Sequence, residues 1–308
     1  MGLPERAWAT RALHSSEAIT RRTPFFTGLK TWSHESRRRK PRFQIKWTRE
    51  EDEAAGYNLL RGNTQTVILA GGLGTRLKPL TDDRPKSMVQ VLGKTFLQRQ
   101  MELMREQGLK RFLLCVGHQA DQIVSHFGDG ASLGVEIKYS HDGASPLGTG
   151  GALVRAAPML DPWFLVLDGD SYLPIDFNAP IARFVKQQPF ALMTVYRNAN
   201  RYGRSNVAIK RGWVTVYDRK QGDFVYMHAG LTVFQRQAIE TFVSDRFMLM
   251  DEIYQGLVAN RNLASFILRQ RFYEIGSHAG LADLERYLTS NRSRPIKSQP
   301  VRSLTATP

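Results

Sequence analysis

Leu69-Ala70-Gly71-Gly72-Leu73-Gly74-Thr75-Arg76-Leu77 is the stretch whose residue types most plainly suit chemistry. Three glycines in four positions let a backbone approach a ligand closely and aim its N–H groups at phosphate oxygens. Arg76 lies inside the stretch and Lys86 follows within 15 residues of Gly71. A loop with two cations beside it suits a triphosphate; a glycine turn with two surface cations is the competing reading. Two commoner phosphate motifs fail on inspection. A dinucleotide fingerprint starting at Gly72 needs glycine at 77, where Leu77 stands, and a P-loop ending at Gly93-Lys94-Thr95 needs glycine at 88, where Met88 stands. Farther along, Asp168 and Asp170 follow the apolar run 164–167. An aspartate at such a place can ligate a cation or serve as a cap or turn residue.

These groups need a scaffold, and the texture of the chain from about Gln65 supplies one. Short apolar runs at 66–70, 112–116, 164–167 and 191–196 alternate with helix-period segments at 96–107, 120–127, 151–160 and 181–187. That alternation predicts parallel βαβ units, with strands covered by helices on both faces and therefore unbroken in hydrophobicity. The glycine stretch sits directly after the first run, at the carboxyl end of a strand, where such sheets hold ligands. After about Arg197 the pattern shifts to hairpins: 207–210 and 214–217 flank the Arg211-Gly212 turn, followed by 225–234. A helix at 251–260, strands at 264–268 and 272–275, and a helix at 279–288 complete one α/β domain with a mixed sheet over 65–290.

The chain has 308 residues, 43 Lys+Arg against 28 Asp+Glu, a net charge of +15 and one cysteine. At 42% apolar content it can bury a sizeable core. Cys115 alone makes neither an internal disulfide nor a Cys-rich zinc site, and it falls in an expected core strand as a small buried hydrophobe. The high charge invites a nucleic-acid or membrane partner, but its distribution argues otherwise. Residues 1–49 hold 12 basic and 3 acidic residues, 289–308 hold four basic and no acidic ones, and 50–288 hold 27 and 25. A near-neutral body with basic ends is expected to bind neither nucleic acid nor membrane. The N-terminal extension, 1–64, is Arg- and Ser-rich and lacks the apolar h-region of a secretory signal. It reads as a disordered tail from an upstream start codon, a transit peptide, or a tether. A basic, disordered tail is expected over 291–308, and the working domain is expected to be cytoplasmic.

The ordered string GGxGTRLxPxT at 71–81, then Pro85-Lys86-Ser87-Met88, then Gly93-Lys94, resembles the signature of the sugar-1-phosphate nucleotidyltransferases. The resemblance runs on through Pro146-Leu147-Gly148-Thr149-Gly150-Gly151-Ala152-Leu153, Leu167-Asp168-Gly169-Asp170-Ser171, His228-Ala229-Gly230-Leu231 and Tyr273-Glu274-Ile275-Gly276-Ser277, covering about 65–290. It implies a Rossmann-like three-layer sandwich with a mixed, mostly parallel sheet, of the nucleotide-diphospho-sugar transferase type. It also implies transfer of a nucleoside monophosphate from a nucleoside triphosphate to a sugar 1-phosphate, with release of pyrophosphate.

The same resemblance implies roles. Arg76 would hold the β- and γ-phosphates, and Lys86 would bridge the α-phosphate and the incoming sugar phosphate; with Asp170 they form the catalytic set. Leu69, Ala70, Gly71, Gly72, Gly74, Thr75 and Gly148 would line the nucleotide site. Gly151, Arg219, His228 and Gly230 would face the sugar phosphate, with Lys220 the alternative to Arg219. Mg²⁺ would be held by Asp170 and Glu274. Two positions depart from the family pattern: Glu274 stands for the usual aspartate, one methylene longer, and His228 for the usual asparagine. His228 is either a sugar-recognition residue or a satisfied, partly buried histidine.

The runs LGTGGAL and FLVLDGDSYLPID resemble most the branch of D-glycero-α-D-manno-heptose 1-phosphate guanylyltransferases, with mannose-1-phosphate guanylyltransferases next. They imply GTP and a manno-configured sugar 1-phosphate as partners, and leave a homo-oligomer open. The alternatives are a glucose-1-phosphate uridylyl- or cytidylyltransferase and a non-catalytic regulatory homologue that binds nucleotide sugar. Arg76, Lys86 and Asp170 are all present, which disfavours the last.

Overall fold

The computed structural model describes residues 63–220, 222–242 and 246–291. The extension expected over 1–64 and the tail over 291–308 lie outside the described residues, apart from Asn63, Thr64 and Asn291.

Strand β1 (Gln65–Leu69) runs into the glycine loop. A two-residue hairpin, β2 (Gln90–Val91) with β3 (Lys94–Thr95), leads to α1 (Phe96–Arg105), whose cap Thr95 accepts the Gln98 N–H at 3.2 Å. Then come β4 (Arg111–Val116), α2 (Ala120–Phe127), β5 (Glu136–His141), α3 (Gly148–Arg155) and β6 (Trp163–Asp168). Short β7 (Ser171–Tyr172), α4 (Asn178–Gln187) and β8 (Ala191–Arg197) follow. The remainder holds β9 (Val207–Lys210), β10 (Trp213–Tyr217), β11 (Tyr226–Gln235), α5 (Gln237–Glu240), α6 (Met250–Ala259), β12 (Leu263–Leu268), β13 (Tyr273–Glu274) and α7 (His278–Ser290). Among the described residues no helix is long and apolar enough to cross a membrane.

The main sheet has the order β5-β4-β1-β6-β11-β8-β12-β10-β9. Residues alternate between its faces. In β1, Ile68 enters one core with α1, α2, α4 and α7, while Val67 and Leu69 enter another with α3, α5 and α6. Helices thus cover both faces of the sheet around β1, an interior strand whose carboxyl end opens to a cleft.

The pairing differs in part from a mostly parallel open sheet. β5, β4, β1 and β6 are parallel neighbours, as are β8 and β12. β11 is antiparallel to both β6 and β8, and β10 is antiparallel to both β12 and β9. β9 also pairs with β11 at Val207↔Tyr226, so β11, β8, β12, β10 and β9 close on themselves. For β9 and β10 the reason is local. A two-residue turn at Arg211 and Gly212, both at positive φ, can only return the chain antiparallel. The closure also leaves fewer unpaired edges.

Three further differences concern boundaries. The helix expected over 151–160 starts earlier, at Gly148, and gives way after Arg155 to a 3₁₀ turn, Ala157–Met159, because Pro158 has no N–H to continue it. The strand expected over 272–275 shrinks to β13, which pairs with β7 outside the main sheet. β5 lacks an apolar run: as an edge strand it buries only Ile137 and Ser140.

Candidate functional site

The chain turns sharply where β1 ends. The Ala70 N–H donates to the Cys115 carbonyl at 2.8 Å, anchoring the loop to β4. Gly74 then adopts φ +67, and a Cβ there would stand 2.9 Å from Cβ of Lys86 and from Cγ2 of Thr81. Only glycine lets the loop pack this closely, so Gly74 sets Lys86 beside it. The Thr81 hydroxyl donates to the Gly74 carbonyl at 2.9 Å and locks the turn. Arg76 follows in the 3₁₀ turn Thr75–Leu77, and Lys86 opens a second, Lys86–Met88.

The carboxylates arrive from the other side. Gln100 of α1 donates to the carbonyls of Asp168 and Ser171, at 3.0 and 2.8 Å, and pins the turn that carries Asp170. The Lys86 Nζ stands 2.5 Å from Oδ2 of Asp170. Strand β13 lays Glu274 opposite Ser171, and the Ile275 N–H donates to the Asp170 carbonyl at 3.0 Å. Arg76 closes the group: a Cβ at Gly276 would lie 3.2 Å from its Nη2 and 3.9 Å from Oδ2 of Asp170.

These charges set one another's protonation. Burial, and then the Asp170 charge, push Asp168 up to about 8 and raise Glu274 above the usual carboxylate range. Burial also works to raise Asp170, but Lys86, Arg219 and Arg76 outweigh it and hold that carboxyl below its ordinary value. Among the described residues no group of three or more His, Cys, Asp or Glu forms a ready metal cage. Asp170 and Glu274, two hard oxygen donors near enough that the Asp170 charge adds to burial in raising Glu274, nevertheless fit a Mg²⁺ site. That ion is commonly held by one or two carboxylates, water and substrate phosphate.

Two cavities open here and share part of their walls. One, of about 330 Å³, is lined by Leu69, the loop from Gly71 to Arg76, Lys86, Asp142, Gly148 and Phe247 among others. The second, of about 150 Å³, is lined by Ala70, Lys86, Asp168, Asp170, Arg219 and His228 among others. Leu69, Gly72, Lys86 and Thr149 belong to both walls, so Lys86 stands at their junction.

The sequence-predicted residues divide accordingly. Leu69, Gly71, Gly72, Gly74, Thr75, Arg76, Lys86 and Gly148 line the larger cavity; Ala70, Asp170, Arg219 and His228 line the smaller. Lys220 lines neither and spends its backbone N–H on Asp218 Oδ1 at 2.7 Å. Glu274 lines neither cavity; after burial, the charges of Asp170 and Glu274 add to the rise of Asp168. Gly151 is buried in α3. The Gly150 and Gly151 N–H groups both donate to the Met248 carbonyl, at 2.9 and 3.0 Å, so these helix-terminal donors are used internally rather than offered to a ligand. Gly230 also lines neither cavity, though it adjoins Asp168 in the wall of the smaller. It sits at φ +87 in a register shift of β11, where a Cβ would fall 2.4 Å from Oγ of Ser171 and 3.6 Å from Cβ of Asp168. Its lack of a side chain makes room for the turn that carries Asp170.

His228 is buried in the wall. Its Nδ1 is 3.9 Å from Oδ2 of Asp168, and its Nε2 lies 3.3 Å from the Thr232 hydroxyl, which also meets the Tyr254 hydroxyl at 3.1 Å. Burial, reinforced by the Arg219 charge, pushes His228 down to about 3, so it is a neutral polar link. Cys115 lines the larger cavity, but burial pushes its thiol up to about 12, which leaves it unreactive.

Several lining residues escape the sequence reading: Asp142, Phe247 and Leu249 in the larger cavity, Tyr217 and Asp251 in the smaller. Asp142 directly follows β5, so recognising that strand would have singled it out by the rule that ligands sit at strand carboxyl ends. Asp251 pairs with Arg219 at 3.5 Å from the first turn of α6, a contact without a local sequence signal.

Comparison with known proteins places this geometry among relatives. Residues 65–290 match the family model described as nucleotidyl transferase. A D-glycero-alpha-D-manno-heptose 1-phosphate guanylyltransferase of Campylobacter jejuni is 29% identical over 215 residues, 69% of this chain and 94% of that protein. A UTP–glucose-1-phosphate uridylyltransferase of Synechocystis is 34% identical over 128 residues, 38% of this chain and 33% of that protein. Among solved structures, that of HddC from Yersinia pseudotuberculosis complexed with GMP-PN shares the fold, with a TM-score of 0.62 at 24% identity, covering 73% of this chain and 99% of that one.

Proposed function

The chain belongs to the nucleotidyl transferase family, and from that premise we propose that it joins the nucleoside monophosphate of GTP to a manno-configured sugar 1-phosphate, with loss of pyrophosphate. The observation that carries this reading is a pair of cavities that share Lys86 in their walls, one lined by the glycine loop and Arg76, the other by Arg219 and Asp170. A nucleotide in the larger cavity and a sugar phosphate in the smaller meet beside that lysine.

The reaction brings an anionic nucleophile to an anionic electrophile, so positioning and charge neutralisation carry most of the catalysis. A sugar-phosphate oxygen forms a bond to the α-phosphorus. The bond from that phosphorus to the bridging oxygen of the β-phosphate breaks, and its electron pair leaves with pyrophosphate. The loop backbone and Arg76 hold the departing phosphates. Lys86 neutralises charge where the two phosphates meet. Arg219 holds the sugar phosphate from the opposite wall. Asp170 and Glu274 would hold Mg²⁺, whose charge would offset that on the phosphate oxygens. The domain bounds 65–290 and the nucleotide-diphospho-sugar transferase type of fold belong to the same reading.

GTP and the manno configuration rest on the resemblance of the LGTGGAL and FLVLDGDSYLPID runs and on the heptose-phosphate relative. The uridylyltransferase relative keeps UTP with glucose 1-phosphate as the second reading. A matrix of GTP, UTP, CTP and ATP against α-sugar 1-phosphates with Mg²⁺, scored by pyrophosphate release, decides between them. Release with UTP and not GTP overturns the guanylyl assignment; release from no pair overturns the enzyme.

A further inference from the structure

We propose that Arg271 is a positioning residue for the candidate site: it fixes β13, and with that strand Glu274 and the turn that carries Asp170. Its consequence for a bound cation rests on the reading of those two carboxylates as Mg²⁺ ligands.

β13 needs such a support. It is two residues long and lies outside the main sheet, where Tyr273 and Glu274 pair with Tyr172 and Ser171 of β7. An isolated pair of strands is marginal on its own. Yet the segment meets the site at three points. Glu274 sits on it, the Ile275 N–H donates to the Asp170 carbonyl at 3.0 Å, and Gly276 abuts the Arg76 guanidinium.

Arg271, between β12 and β13, joins this strand to two other segments. Its guanidinium carbon lies 3.6 Å from the ring centre of Tyr202 and 4.6 Å from that of Tyr273. Its Nη2 donates to Oδ2 of Asp283 on α7, whose other oxygen accepts from Arg286 at 3.1 Å. The side chain is mostly buried, and its Nε has no acceptor. Ring faces and one carboxylate therefore hold the group. A flat guanidinium suits that environment, because it stacks on aromatic rings and is weakly hydrated.

Each partner is itself fixed. Tyr202 belongs to the loop after β8, where its N–H donates to Oδ1 of Asn198 at 3.0 Å. The buried Asn198 in turn donates to the Gly203 carbonyl at 2.7 Å and to the Ser205 hydroxyl at 3.1 Å. Tyr273 stacks on Tyr287 of α7 with ring centres 4.5 Å apart. The first turn of α7 presses on the strand, leaving no room for a Cβ at Gly280 beside the Glu274 carbonyl. Arg271 thus ties β13 to the β8 loop and to α7, and Glu274 follows the strand. Groups that orient a metal ligand affect the ion as ligands themselves do.

The test compares the full chain with its Arg271→Met and Arg271→Lys variants by amide hydrogen exchange, by Mn²⁺ titration followed by electron paramagnetic resonance, and by transfer kinetics. Arg271→Met is expected to speed exchange at the Ile275 N–H about 10- to 100-fold, while β1 and β6 exchange as in the parent. Mn²⁺ binding should weaken about tenfold, with KM for each substrate changing less than about threefold. Arg271→Lys keeps the charge but not the flat stacking, and should fall between the parent and Arg271→Met. Tyr202→Leu removes one ring and should speed Ile275 exchange in the same direction, which keeps the test open if Arg271→Met does not fold. Unchanged Ile275 exchange in these variants overturns the proposal, as does faster exchange spread evenly over the main sheet. Asp170→Asn is the control for the cation. If it weakens Mn²⁺ binding and Arg271→Met does not, the metal reading stands and the positioning role falls. If it leaves Mn²⁺ binding at the parent's level while Arg271→Met speeds Ile275 exchange, the metal reading falls and the positioning role stands.

Discussion

The Lys86 ammonium and the Asp170 carboxylate stand 2.5 Å apart, with 14% and 30% of their side chains exposed, although 84 positions separate them in sequence. Each neutralises the other in the enclosed cleft, and each matches a ligand: the lysine a phosphate, the aspartate a cation. A triphosphate with its metal competes with the pair by offering both groups new partners. Lys86→Met and Asp170→Asn are each expected to lower kcat for pyrophosphate release by about 10²- to 10³-fold. Glu274→Asp keeps the charge on a shorter arm and is expected to retain a measurable share of turnover. An Asp170→Asn protein as active as the parent contradicts the metal assignment.

Arg219 is expected to serve the sugar phosphate alone. It lines the smaller cavity, whereas its neighbour Lys220 lines neither. Arg219→Ala should raise KM for the sugar 1-phosphate by about 10- to 100-fold, the worth of one charge-assisted contact, with KM for the nucleotide nearly unchanged. Lys220→Ala should change neither. Steady-state kinetics with each substrate varied in turn separates the two; an equal rise in both KM values would mean that Arg219 shapes the cleft rather than binding the sugar phosphate.

Gly230 tests the supporting frame. Alanine there takes an unfavourable positive φ and collides with Ser171. The expected cost is at least about 1–3 kcal/mol, read as a lower urea midpoint with an unchanged slope. Turnover should fall with it, because Ser171 adjoins Asp170. A Gly230→Ala protein as stable as the parent would contradict the packing described.

His228 gives a pH dependence with a defined sign. Asp168 from β6, Tyr217 from β10, Arg219 just after it, and Tyr254 from α6 surround it. Its folded value of about 3 lies below the ordinary 6.5. Between these values the unfolded chain binds a proton that the folded one refuses, so stability falls as pH drops below 6.5. Asp168 acts oppositely: with its folded value near 8, its contribution is full below 3.8 and is lost as pH rises toward 8. Comparing the parent with His228→Asn removes the shared part. From pH 7 to 5 the parent should lose about 2 kcal/mol more than the variant. Parallel urea midpoints for the two proteins across that range would refute a neutral, buried His228.

Much of this arrangement was legible because its signals are local. The glycine loop and Asp170 follow the ends of strands that read as unbroken apolar runs, Arg76 and Lys86 come in the motif just after the loop, and the structure brings them to one cleft. What escaped depends on contacts between distant segments. β5 is an edge strand with alternating exposure, so Asp142 at its end carried no signal. Gly151 was expected to face the sugar phosphate, but its N–H goes to the carbonyl of Met248, nearly a hundred residues on. The curl of the sheet rests on one pair, Val207↔Tyr226, which no periodicity marks. Phe247 reads as one apolar residue among many until its exposure and its place at the cavity rim are known.

The central claim is that the α-phosphorus of a nucleoside triphosphate passes to a sugar 1-phosphate, and the fate of a phosphorus label tests it most directly. With [α-³²P]GTP, Mg²⁺ and a manno-configured sugar 1-phosphate, the label should appear in a nucleotide sugar. With [γ-³²P]GTP it should appear in pyrophosphate, and both should require the sugar phosphate. Label from the γ-position released as free phosphate, at a rate indifferent to the sugar, would contradict the account.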